Sequence, residues 1–150
     1  MYQLLLYVHI VSAVIWVGGA VYAQLLAFRV SGSDDPTELP RLGRHFEQIG
    51  TRVFVPAGIV VFLAGAAMTA QRWSFSQGWI VAAVGLWLLS ALGGALYLGP
   101  RAKRAAKLFD VEGPASVEGR RLIERLFLVS RLELVSFAIV IALMVFKPEA

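Results

Sequence analysis

Apolar residues fill four long blocks of the chain, roughly 4–28, 53–71, 78–98 and 126–146, and polar and charged residues gather between them. A hydrocarbon core of about 30 Å takes roughly 20 residues at 1.5 Å each, so every block is long enough to cross a bilayer as a helix. The expected fold is therefore all-α, a polytopic transmembrane four-helix bundle forming a single domain over 1–150. The first block lacks a basic leader and is about twice as long as the apolar run of a signal peptide, so it is expected to stay as a helix. No unit of 20 to 50 residues repeats.

The polar stretches carry their own signals. "SGSDDPTELP" predicts a turn with a helix start near Asp35 or Thr37, and "LPRLGRHFEQIGTRVF" is amphipathic, an interfacial helix feeding the second span. "DVEGPASVEG" breaks a basic helical extension, and "SVEGRRLIERLF" resumes helix into the fourth span. Pro56 falls in the first turns of the second span, where a missing donor costs least, and Pro100 is expected to stop the third. Gly18, Gly19, Gly58, Gly65 and the pair Ser90 and Gly94 are small residues placed for close helix approach.

Composition places the chain in the membrane: 58% of residues are hydrophobic and 16% charged, with a mean hydropathy of +0.70. No soluble domain of this size hides so much apolar surface. The chain has no cysteine, which removes disulfides, thiolate metal sites and iron–sulfur ligation together. Its net charge of +4 comes from two loops, and nothing in it resembles a nucleic-acid binding pattern. Arg29, Arg41, Arg44 and Arg52 lie in or beside the first loop, and Arg101, Lys103, Arg104, Lys107, Arg120, Arg121 and Arg125 in the third. The positive-inside rule then predicts loops 1 and 3 in the cytoplasm and both termini outside, in a bacterial plasma membrane.

Inside the blocks, polar side chains are few. His9, Ser12, Trp16, Gly19, Ala20 and Ala23 share one helical face that looks into the bundle. His9, about 8 Å below the surface by its distance from Leu4, is either a neutral imidazole bonding to a neighbouring helix or an axial ligand to haem or a metal. Met68 and Met144 are the soft ligands that share its depth. His45 lies on the other side of the bilayer, at least about 25 Å away. Arg131 and Glu133 fall within hydrocarbon and are functional candidates by default. Two residues apart, they point to different sides. Arg52 is the expected partner of Glu133, and Arg131 either snorkels inward or reaches Glu124, two turns away. Trp73 and Trp79 read as an interfacial belt.

These residues bring relatives into view. "HIVSAVIWVGGAVY" (His9, Trp16, Gly18, Gly19, Tyr22) resembles the first helix of the HemJ-type protoporphyrinogen oxidases, haem b proteins, and of the copper-resistance D-type proteins. "FEQIGTRVFVPAGIVVFLAG" is similar to their second helix, with Arg52, Pro56 and Gly65, and "SRLELVSFAIVIALMVFKP" to the last, with Arg131, Glu133 and Lys147. The enzymes of that family place Lys and His in the third helix, where "GWIVAAVGLWLLSALGGALYLGP" has neither. The resemblance therefore implies His9 as a haem ligand and Arg131 and Glu133 as interior charges, without the oxidase activity; no catalytic residue is assigned. The expectation is a membrane protein that handles haem b or copper around His9, Trp16, Arg52, Arg131 and Glu133, with Met68 and Met144 as further metal ligands. The alternatives are an accessory subunit of a larger membrane complex or homo-oligomer, and a copper-permease-like carrier.

Overall fold

The computed structural model describes residues 1–148 and, within them, every side chain but that of Glu47. Helix α1 runs from Tyr2–Ser31. Helices α2 (Glu38–Ile49) and α3 (Val55–Arg72) are joined without a break, as are α4 (Gly78–Leu92) and α5 (Gly99–Glu112). Helix α6 spans Val117–Phe146. Four antiparallel rods result, α1, α2–α3, α4–α5 and α6, each long and apolar enough to cross a membrane. The bundle is the all-α, four-helix fold expected, with no strand among the described residues.

The joins within rods 2 and 3 are π-helical turns, Gly50–Phe54 and Gly93–Leu98, and the same local chemistry builds both. Val55 N–H bonds to the Gly50 carbonyl, five residues back, just before Pro56; Gly99 N–H bonds to the Gly94 carbonyl, five residues back, just before Pro100. A proline inside an α-helix lacks a donor, and its ring collides with the carbonyl four residues earlier. Widening the preceding turn accommodates both defects without ending the helix. Pro100 therefore does not stop the third span, which continues 12 residues beyond it to Glu112. Pro56 likewise sits mid-rod, with α2 ahead of it.

The connections stop and restart helix in recognisable ways. Asp35 accepts bonds from the Thr37 N–H and hydroxyl, both 2.8 Å, which hold its carboxyl below the usual carboxylate range and lead the chain into α2. Gly113, at φ 83°, ends α5, and Ser116 Oγ caps α6 by accepting from the Gly119 N–H at 3.1 Å.

One end of the bundle gathers the two termini and the short 73–77 loop: Arg72 lies 4.1 Å over the Tyr2 ring and Lys147 4.9 Å over Trp73, which meets Trp79 edge-on. The opposite, charged end holds the main core, where Ala27, Leu42, Ala105, Phe109, Ile123 and Phe127 pack from all four rods. Exposed pairs Arg44–Asp110 and Arg104–Glu118 decorate it. Between these two packed ends the bundle is hollow.

Candidate functional site

Small residues on rods 1 and 2 do bring backbones close. A methyl at Gly19 would meet Phe54 Cε1 at 2.5 Å, one at Gly58 would touch the Trp16 indole at 3.6 Å, and one at Gly65 would press on His9 Cε1 at 3.1 Å. On rod 3 the same residue types do something else. Nothing stands within 4 Å of a methyl placed on Gly94, and Gly94, Ala91 and Ala95 instead border a cavity of about 610 Å³. Gly18 is also unopposed, so neither Gly18 nor Gly94 serves the close approach expected from the sequence.

The cavity has an aromatic ceiling and an apolar floor. Trp16 (on Phe137, ring centroids 4.8 Å apart) and Trp87 (stacked on Phe62 at 4.3 Å) close it toward the terminal end. Trp87 is fixed in place by donating its indole N–H to the Gly58 carbonyl at 3.0 Å. Phe46, Ala102, Leu126 and Phe127 form the floor, shared with or adjoining the core of the charged end. Both π turns contribute wall, through Gly50, Thr51 and Phe54 on one side and Gly94, Ala95 and Leu98 on the other. Such turns recur at functional sites because they re-aim side chains and carbonyls within a continuous helix.

Its polar groups are few. Glu133 enters from rod 4 and accepts a hydrogen bond from the Ser90 hydroxyl on rod 3. Gln24 donates to the Phe127 carbonyl at 3.1 Å, tying rod 1 to rod 4, and Thr51, Ser130 and Lys103 complete the polar lining. Arg52 is exposed and makes no ion pair with Glu133 among the described residues. Rods 2 and 4 are opposite corners of the bundle at this level, and the adjacent rod 3 supplies the partner instead. Arg131 is exposed as well, unpaired with Glu124 among the described residues. Of the residues singled out from sequence, Trp16 and Glu133 meet at this cavity, and His9, Arg52 and Arg131 lie outside its lining.

His9 has a setting of its own. Its Nδ1 lies 2.9 Å from the Val61 carbonyl; a carbonyl only accepts, so Nδ1 is the donor, and in a neutral imidazole the lone pair is then on Nε2. That arrangement serves equally a helix-joining bond and a ligand oriented by its second nitrogen. His9 and Met144 are each seven residues from the Trp16–Phe137 contact on antiparallel rods and so stand at one level. Met68 is one turn beyond Gly65, which His9 touches. His9 is not among the residues that line the cavity, whose ceiling Trp16 helps to form. His45 is exposed at the charged end. Among the described residues no three His, Asp or Glu side chains converge.

Residues 3–148 match the family model described as "Predicted integral membrane protein (DUF2269)". The chain belongs to that family. No curated protein and no solved structure matches it. The family description agrees with the four apolar rods, and the DUF2269 chain is an integral membrane protein whose lipid-facing surface is set by exposed residues such as Val14, Leu63, Leu89 and Leu132. What sequence reading missed in this DUF2269 bundle are Trp87, Gln24 and the role of Ser90; the signal for Ser90 was its place one turn before Gly94 in a span whose other hydroxyl, that of Tyr97, lies near its end.

Proposed function

We propose that this DUF2269 protein is an intramembrane binding protein whose ligand occupies the cavity between the four rods. One observation carries the reading: a cavity of about 610 Å³ with aromatic walls holds a carboxylate whose only partner among the described residues is one hydroxyl. Helix bundles close on themselves at near-crystalline density unless space is kept for something, and small-molecule sites are apolar hollows of about 300–1,000 Å³ with a few placed polar groups. The test is to extract the protein with its native lipids in copolymer nanodiscs and analyse the organic extract by mass spectrometry beside Ala91→Phe, which fills the space and leaves Glu133 in place. A compound enriched with the wild type and absent from Ala91→Phe is expected. Identical extracts from the two proteins contradict the reading.

A second reading places haem or a transition metal such as copper at the terminal end, on His9 Nε2 with Met144 or Met68. It is supported by the Nδ1 bond to Val61, which leaves Nε2 as the ligating atom, and by the resemblance of "HIVSAVIWVGG" to the HemJ-type and copper-resistance D-type first helix. When bound there, such a centre would supply electron transfer or metal handling. Protein from cells supplied with haem and copper would then show a Soret band or bound copper that His9→Ala loses and His45→Ala keeps. Protein that carries neither leaves His9 as an interhelical hydrogen-bond donor, and the accessory-subunit role gains.

A further inference from the structure

The cavity's one carboxylate and one ammonium stand apart, Glu133 on the wall and Lys103 at an exposed rim. Glu133 is the carboxylate of the wall, and no Arg, Lys or His pairs with it among the described residues. Ser90 donates to Oε1, and Oε2 takes no hydrogen bond from a described residue. A carboxylate within the hydrocarbon layer is costly unless paired or bonded, so an occupant that brings positive charge gains more at this place than a neutral one. Trp16, Trp87, Phe54 and Phe137 surround the same space, and aromatic faces attract cations. Wall residues Thr51, Val55 and Ile59 on rod 2 and Ala95 and Pro100 on rod 3 are exposed. Rods 2 and 3 pack together below this level, α2 on α5, and touch above it, α3 on α4, whereas no extensive packing joins the two π turns.

Resting on the reading of the cavity as a binding site, we infer that its ligand is a lipophilic organic cation that enters sideways from the membrane between the two π turns and pairs with Glu133. Apolar substituents of such a molecule fill the aromatic hollow, and its charge meets Oε2. Lys103, at the exposed lower rim, repels a cation from the headgroup side and leaves the lateral route.

The test uses two ions of equal shape and opposite charge. Tetraphenylphosphonium and tetraphenylborate are dialysed to equilibrium against the full chain in phosphatidylcholine nanodiscs, with empty nanodiscs as the partition background. Saturable tetraphenylphosphonium binding is expected, weakened at least about tenfold in Glu133→Gln, a change of about 1.4 kcal/mol, and abolished in Ala91→Phe. Leu132→Ala, on the lipid-facing surface and outside the lining, retains binding, and a monodisperse gel-filtration peak for Glu133→Gln guards against a variant that merely misfolds. Equal binding of both ions, lost together in Ala91→Phe, overturns the cation inference and spares the cavity as a binding site. Absence of saturable phosphonium binding, or binding undiminished in Glu133→Gln, also overturns the inference; the co-purified extract then judges the cavity independently.

Discussion

At the residue scale, space beside each glycine separates packing positions from cavity positions. Gly19→Ala drives a methyl to 2.5 Å from the Phe54 ring, an overpacking that costs about 1–3 kcal/mol, while Gly18→Ala meets nothing within 4 Å and is expected to be neutral or to stabilise by up to about 1 kcal/mol. Thermal unfolding of both variants in one detergent checks the pair: equal effects would mean that Phe54 does not pack on Gly19. Removing the His9 donor is expected to cost about 0.6–2 kcal/mol, the range for such bonds between membrane helices. The sequence made Glu133 legible as the expensive side chain of the last span, because intramembrane carboxylates are rare whatever the fold. Its partner was not legible. Whether Glu133 faces Arg52 or Ser90 depends on how rods 2, 3 and 4 rotate and which are neighbours, and no local pattern encodes that.

At the scale of elements, each π turn is one residue inserted into an otherwise regular helix, fixed by the glycine five positions before the residue that precedes proline. Deleting Ala95 together with Pro100→Ala should let rod 3 become α-helical throughout while α4 and α5 keep their facing sides, so the protein folds with a narrowed cavity. Deleting Ala82 in the regular part of α4 instead rotates one part of the rod by about 100° against the other and should yield no monodisperse protein. Gel filtration of the two deletions decides, and equal collapse would show that the π turn is not a local insertion. The four apolar blocks located the rods because hydrocarbon thickness sets their length. Their real ends escaped: Pro100 looked like a terminator since a proline's clash is local, and the widened turn that removes it is set by the bond from the Gly99 N–H to the Gly94 carbonyl, which the position of a proline does not reveal.

For the whole molecule, the two packed ends and the hollow middle fix what the membrane must do. Short loop and termini share one end, and the charged loops the other; the excess of Lys and Arg then predicts that the charged end is cytoplasmic. In the cysteine-free chain, Ala115→Cys, exposed in the charged loop beside the buried cap Ser116, should resist a membrane-impermeant thiol reagent in intact cells, and Ser76→Cys, exposed in the short loop, should react; the reverse inverts the protein. The hollow was foreshadowed in sequence only as an excess of small residues on rod 3, which read equally as close packing, because a glycine states that a side chain is absent and not what replaces it. Whether this hollow holds a ligand against Glu133 is decided by density from the protein crystallised in a lipidic mesophase. Density beyond the chain itself is expected between Trp16 and Phe127, in contact with the Glu133 carboxylate. Rods 2 and 3 closed on each other through their π turns, with the space filled by side chains and Glu133 turned away, would contradict it.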